Sequence, residues 1–510
     1  MHMRILHILD HSPPRASSYS RRVMAILRHQ RALGWKTMHL TGPGHTTTGT
    51  AAHGIPERVA SSGSAGWHFF RTSSPGALAT RLPLLGPVHL IAQRLQQVVQ
   101  MTRPQLLHAH SPVELALAAL RVGRQHGLPV LFEAHAPAPF SVEGSTWRAP
   151  PGDEGAASHG GASSLTLQSP QQLSCLARFG MRALEAWAAQ RAAAVVTNSE
   201  GMCARLMAAG VAGGRITLVP DGLDPDRYSP SLRSRFEWGA NFDGGPGWER
   251  RTGRRLPLAA HLPERRRSRA GTPPRPLVLG YAPVCADESG GSAGSVAGLH
   301  VLLVAMTMLQ HTRSRLHLAV ACGGGQESMV RKLGEQHGLE DCISIVMADQ
   351  MPQCAAVAAG VEAKPVAAFT DARAHARGEF PRTQAVGQGL SAHAALHGLA
   401  DIVVFPQAAR NSAAAPPRQL LEAMARGCII AAADTPAHRA VIDHGRDGVL
   451  FTPGDPAALS DAIQVLIAGA GRSQMRTSAR WFIDYHRSWE VCTGKYVPLY
   501  EKLLAGRRRR

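Results

Sequence analysis

The sequence predicts an α/β protein built from two doubly wound domains that face a cleft. In each half of the chain, short apolar runs alternate with helix-length amphipathic stretches, the pattern of parallel strands joined by crossover helices. Between the halves lies Ser231 to Pro276, which has no apolar periodicity and reads as a linker or long insertion. With 510 residues, 44% of them hydrophobic, the chain has the length for two to four domains and enough apolar material to bury their cores. A disordered polymer and a small disulfide scaffold are excluded.

The elements follow in order. The first half opens on a strand from Ile5 to Leu9, followed by a helix from about Ser20 to Leu33. Gly34 closes that helix, and a strand from Thr37 to Leu40 follows. Further strands are predicted at Leu106 to Ala109, Val130 to Glu133, Ala194 to Thr197 and Ile216 to Val219. In the second half the runs are Leu277 to Tyr281, His317 to Ala321, Ile343 to Val346, Ile402 to Phe405 and Cys428 to Ala432. These bounds give a first domain over 1–230, a linker over 231–276 and a second domain over 277–484. Ala149 to Ser164, rich in Gly, Ala, Ser and Pro, reads as an insertion, while Glu362 to Gly389 fits neither strand nor helix pattern. In sheets of this kind ligands bind beyond the carboxyl ends of the strands, so the cleft between the domains is the expected site.

Charge is concentrated rather than spread. The chain carries a formal net charge of +19. Ser231 to Pro276 holds eleven arginines against four acids, and Arg507 to Arg510 add four more charges, so eleven of the nineteen lie in two segments. Nucleic acid, an anionic membrane surface and a phosphorylated substrate all suit such a balance. No aromatic interleaving or nucleic-acid module accompanies the arginines, which makes nucleic acid the least favoured partner. Eight cysteines without a Cys-x-x-Cys pair argue against a disulfide framework or structural zinc and fit a reducing cytoplasm. The apolar start is too short for a secretory signal and no run is long enough to span a bilayer, so a cytoplasmic protein is expected, with peripheral membrane contact through the arginines.

The most informative string is Pro416-Pro417-Arg418-Gln419-Leu420-Leu421-Glu422-Ala423-Met424-Ala425-Arg426-Gly427. Proline suits a first turn and glycine a C-terminal cap, so a helix of about ten residues is bracketed. A glutamate in its early turns can accept hydrogen bonds from vicinal hydroxyls, as on a ribose, while free amides at the helix start can meet phosphate. His108 and His110 share a strand face, which permits a metal pair, but no third ligand is apparent and no metal or other cofactor is expected.

The Leu421-Glu422-Ala423-Met424-Ala425-x-Gly427 string, Asp434, Asp447-Gly448-Val449-Leu450-Phe451 and Pro453-Gly454-Asp455 resemble the nucleotide-sugar half of retaining family-4 glycosyltransferases of GT-B fold, with its two Rossmann-like domains. His108-Ala109-His110-Ser111-Pro112, Asn198-Ser199-Glu200-Gly201 and Val219-Pro220-Asp221-Gly222-Leu223-Asp224 follow the order of that family's first half. The opening from Ile5 to Ser12, with Gln30 to Trp35, resembles more narrowly the exosortase-A-system-associated glycosyltransferases of exopolysaccharide loci. The resemblance implies transfer of a sugar from a nucleotide diphosphate sugar to a saccharide or lipid-linked acceptor. It also implies a last helix, about Ser488 to Leu504, crossing back onto the first domain. Glu422, with Leu421 beside it, matches the residue that holds the nucleotide ribose, and His135 matches the histidine near the acceptor and the donor sugar.

Three parts of the family pattern are missing. The first glutamate of its pair falls on Ala413 or Ala414. The glycine-rich turn after the first strand carries Ser17 and Ser18 instead, whose β-carbons restrict close backbone approach to a phosphate. The arginine and lysine expected after the first strand of the second domain are replaced by Asp287 to Gly291 and Ala297. A diphosphate needs a counter-charge in a dry site, which leaves Arg410, Arg418, the linker arginines and the backbone of Gly323 and Gly324 to provide it. The same losses fit a catalytically silent paralogue that serves as a scaffold for polysaccharide assembly, and the arginine-rich linker leaves a nucleic-acid binder as a further alternative.

Overall fold

A computed structural model describes residues 3–13, 17–43, 57–59, 66–72, 85–135, 170–225, 228, 277–282, 292–310, 316–322, 327–348, 383–386, 392–407, 415–468 and 471–508. The linker 231–276 and the insertion 149–164 lie outside them, and of 362–389 only a strand at 383–386 is described.

Among the described residues the first sheet has eight strands: β1 (Arg4–Leu9), β2 (Lys36–Thr41), β3 (Glu57–Val59), β4 (Trp67–Arg71), β5 (Leu106–His110), β6 (Val130–Ala134), β7 (Ala194–Thr197) and β8 (Ile216–Leu218). Their order is β3-β4-β2-β1-β5-β6-β7-β8, parallel except for the β3–β4 pair. The second sheet holds β9 (Leu277–Tyr281), β10 (Leu316–Cys322), β11 (Ile343–Ala348), β12 (Thr383–Val386), β13 (Ile402–Phe405), β14 (Ile429–Ala433) and β15 (Val449–Phe451). It is parallel throughout, in the order β12-β11-β10-β9-β13-β14-β15. The two sheets therefore reverse direction at β1/β5 and at β9/β13. The carboxyl ends beside those switch points are where a ligand crevice forms.

Local chemistry sets the boundaries. The first helix runs Ser18–Ala32, two residues earlier than its periodicity suggests, because Ser17 caps it. The Ser17 side chain accepts from the Ser20 amide, and the Ser20 hydroxyl accepts from the Ser17 amide, which closes a capping box. Gly34, at φ 79°, supplies the left-handed turn after it. Of the strands missed in the sequence, β3, β12 and β15 are short and at sheet edges, where periodicity carries little signal, and β4 lies one strand in from the edge among turn-rich segments. The C-terminal segment forms two helices, Trp489–Gly494 and Tyr496–Arg508, in place of one. Pro498 lacks the amide that would bond to the Gly494 carbonyl, and its ring crowds that carbonyl.

Tyr496 and Tyr500 of the last helix are fully buried with Ile5, Ile26, Trp35, Leu106 and Leu131, all first-domain residues. The two chain crossings between domains lie side by side. Leu223 donates to the Arg487 carbonyl at 2.7 Å, and Trp489 donates to the Leu223 carbonyl at 2.9 Å. Gly222 makes this approach possible, since a β-carbon there would sit 3.0 Å from the Trp489 amide nitrogen. Among the described residues no helix is long and apolar enough to cross a membrane.

Candidate functional site

The candidate residues of the first domain gather at the carboxyl ends of β1, β5 and β6. His135 follows β6 directly. Its amide donates to Ser111 Oγ at 3.1 Å, just past β5, and its Nε2 lies 2.9 Å from Glu133 Oε1. Glu133 has no exposed surface and is the hub of the region. Arg22 Nε donates to it at 2.9 Å and the Tyr496 hydroxyl at 2.7 Å, while His108 Nε2 stands 2.8 Å from its second oxygen. Arg22 also donates to Asp221 Oδ1 and to the Val219 carbonyl, both at 2.8 Å.

Burial alone would raise the Glu133 carboxyl, but the Arg22 charge and the surrounding imidazoles outweigh it and hold it well below the usual carboxylate range. Glu133 is therefore an acceptor only. The proton on the Glu133–His135 contact belongs to His135 Nε2, so that in the neutral ring the lone pair is on Nδ1. An imidazole fixed in that tautomer can accept a hydrogen bond from a sugar hydroxyl or stabilise developing positive charge.

At the end of β1, Asp10, His11 and Ser17 form a chain in which His11 Nδ1 lies 2.7 Å from Asp10 Oδ2 and Nε2 lies 2.6 Å from Ser17 Oγ. Ser17 thus does two tasks, capping the helix and anchoring the loop through His11. Ser18, expected in that loop, is instead the first helical residue.

In the second domain the helix Arg418–Ala425 follows β13, with Pro417 at its start and Gly427, at φ 68°, after its end. Glu422 lies in its second turn. Its Oε1 accepts from Arg418 Nε at 2.9 Å and from the Tyr228 hydroxyl at 3.1 Å, and its Oε2 faces Arg426 Nη1 at 3.8 Å. Arg418 also donates to Tyr228 at 2.7 Å, so two of its donors point at neighbours within the protein. The Leu421 side chain is buried in the apolar cluster under the helix with Val403, Phe405 and Ile430, so only its backbone faces the helix surface. Arg410, Gly323, Gly324 and the Ala413/Ala414 position lie outside the described residues.

Arg22, Asp221, Tyr228 and Tyr496 had no assigned role in the sequence. A readable signal existed for Arg22, which sits four residues before Ile26 and eight before Gln30 on the buried stripe of its helix. An arginine in phase with core positions announces a buried partner. Tyr228 and Tyr496 gave no such signal, because their partners are more than 190 residues away.

The comparisons with known proteins define the class. The model for Glycosyltransferase Family 4 matches residues 20–227, and that for Glycosyl transferases group 1 matches residues 347–469. The chain thus carries two glycosyltransferase domains in a GT-B fold, a family-4 domain first and a group 1 domain second. Among solved structures it is similar to sucrose-phosphate synthase from Thermosynechococcus elongatus, at 16% identity and a TM-score of 0.56 over 99% of this chain and 100% of that one. HepE of Anabaena, solved in complex with UDP, gives 13% and 0.57 over 98% and 100%. The trehalose 6-phosphate synthase of Burkholderia multivorans gives 12% and 0.54 over 99% and 98%. At these identities the likeness is one of fold. No curated protein matches the sequence.

Proposed function

We propose that the protein transfers a sugar, with retention of configuration, from a nucleotide diphosphate sugar to a saccharide or lipid-linked acceptor. The observation that carries this reading is the His135–Glu133–Arg22 arrangement at the carboxyl end of β6, beside the switch point of a family-4 domain. It holds one imidazole by a carboxylate at the strand ends where doubly wound sheets generally take ligands, which supports the reading. In this reading His135 Nδ1 meets the reacting sugar, and Glu422 accepts a ribose hydroxyl through Oε2. A solved structure of similar fold holds UDP, and another UDP-glucose, which supports a uridine donor as the first to try. The resemblance of the N-terminal segment supports a place in exopolysaccharide assembly, at the inner face of a membrane held through the arginines.

The test is calorimetric titration of the purified protein with UDP and UDP-glucose, followed by turnover with the product anomer read by NMR. Binding that Glu422→Ala abolishes, together with turnover that His135→Ala abolishes, is the expected result. The absence of any nucleotide binding defeats the reading. Binding without turnover, unchanged on replacing Ala413 or Ala414 by Glu, favours the silent scaffold.

A further inference from the structure

One face of the first sheet carries a polar row among its apolar residues. His39 on β2 pairs in register with His7 on β1, His7 with His108 on β5, and His110, two residues on, with Glu133 on β6. Strand periodicity puts His108 and His110 on one face. His7, His108 and His110 are fully buried, with ring centroids 4.3, 4.7 and 5.4 Å apart. One nitrogen from each lies within 4.8 Å of one nitrogen from both others.

The protons of this cluster can be followed atom by atom. His7 Nε2 lies 2.9 Å from Gln30 Oε1, and the Gln30 amide nitrogen donates to Tyr500 Oη at 3.1 Å, which fixes the orientation of the amide. His7 therefore carries its proton on Nε2, and its Nδ1 lone pair points at His110 Nε2, 3.1 Å away. With nothing else present, His110 must protonate Nε2 to donate across that gap. Its Nδ1 is then bare, has no hydrogen-bond partner and faces Glu133 Oε2 at 3.8 Å. A lone pair opposite a carboxylate in a dry interior is unfavourable. His108 is held at Nδ1 by Tyr500, 2.7 Å away, and its Nε2 stands 2.8 Å from Glu133 Oε2 without good alignment.

We propose that His7, His108 and His110 form a binding site for a transition-metal ion of the zinc class. Two nitrogens bound at zinc distance in tetrahedral array stand about 3.3 Å apart, close to the 3.1 Å between His7 Nδ1 and His110 Nε2. An ion on His110 Nε2 moves that ring's proton to Nδ1, where it points at Glu133 and converts the repulsive contact into a carboxylate–histidine–metal relay. Gln30 backs His7 in the same way; for His108 to bind through Nε2 its proton moves to Nδ1, where Tyr500 Oη accepts it beside the Gln30 amide. Burial, and then the neighbouring rings, keep His7 unprotonated, and burial does the same for His108 and His110; this is the form that binds metal. The adjoining Arg22, Glu133 and Asp221 leave one excess negative charge for the ion to offset. An all-imidazole set favours zinc, copper, nickel or cobalt over magnesium or calcium. The third ligand that sequence spacing did not reveal is His7, about a hundred residues from the pair and joined to it by strand register.

The site does not depend on the proposed transfer reaction and is tested apart from it. Full-length protein produced with added Zn2+ is freed of loose metal by desalting and its zinc measured by elemental analysis. Protein produced with Co2+ is examined for the visible bands of a tetrahedral or lower-coordinate cobalt–imidazole centre. About one equivalent of zinc and a cobalt band, both lost in His110→Asn and His7→Asn and both kept in His300→Ala, which breaks an exposed histidine pair in the second domain, is the expected result. Less than a tenth of an equivalent in the wild type, or full occupancy in a folded His110→Asn protein, overturns the proposal. Should both variants fail to fold, the wild-type cobalt spectrum decides: no band means a hydrogen-bonded histidine cluster and no metal site.

Discussion

Mild acid should destabilise the first domain in the metal-free protein. His7, His39 and His110 are fully buried, and desolvation holds all three below the ordinary histidine value, His39 at about 3. In the unfolded chain they titrate near 6.5. Between the folded and unfolded values the unfolded chain binds protons that the native state does not, so stability falls as pH falls below about 6.5. At pH 5.5 each ring costs a little over 1 kcal/mol, about 4 kcal/mol for the three, against a typical total of about 5–15 kcal/mol. The Glu133 carboxyl, held well below its usual range, works in the same direction but only at lower pH. Urea unfolding with chelator present, at pH 7.5, 6.5 and 5.5, measures the loss, and His39→Gln should remove about a third of it. Stability that stays level from pH 7.5 to 5.5, or a His39→Gln protein with the wild-type slope, refutes the reasoning.

Three substitutions probe the rest of the framework. Tyr500→Phe removes the group between Gln30 and His108 and should cost about 1–3 kcal/mol by leaving buried nitrogens unpaired, measured by chemical denaturation. Ser17→Ala, which deletes a helix cap and the anchor of His11, should cost about 1 kcal/mol in the same assay. Gly222→Ala drives a methyl against Trp489 and the Arg487 carbonyl where the chain crosses between domains; a loss of about 1–3 kcal/mol is expected, and a protein melting at the wild-type temperature would show that the crossing yields.

The alternation of strands and helices was legible because each strand of a parallel sheet is buried on both faces and reads as a continuous apolar run. Ala194–Thr197, Leu277–Tyr281 and Ile402–Phe405 stand where the pattern put them. β15 escaped because three residues make no pattern, and β4 because its alternating Trp67, Phe69 and Arg71 lie among turn-rich segments. At the candidate site, motif strings pointed to His135 and Glu422 but not to what holds them. Arg22 and Tyr496 reach Glu133 from 111 and 363 residues away, and only the folded topology brings them there.

The two sheets differ in what lines their inner faces. In the second domain the corresponding inner positions are Leu279, Tyr281, Leu318, Val320, Ile402 and Val404, a core that needs only close packing. In the first, the row His39, His7, His108, His110 and Glu133 replaces such residues, although apolar side chains there would remove the desolvation cost. What the polar row supplies is direction. Tyr500 holds His108, whose Nε2 stands 2.8 Å from Glu133; Arg22 and Tyr496 each donate to Glu133 directly, and His135 leans on the same carboxylate. In the proposed reaction His135 points one nitrogen at the sugar, and that role needs its ring angle and tautomer set from behind, which an apolar floor cannot do. Two of those supports, Tyr496 and Tyr500, come from the last helix, so loss of residues beyond Arg487 should disturb His135 as well as stability. A truncation after Arg487 that stays folded and keeps full activity would show that the row is structural alone.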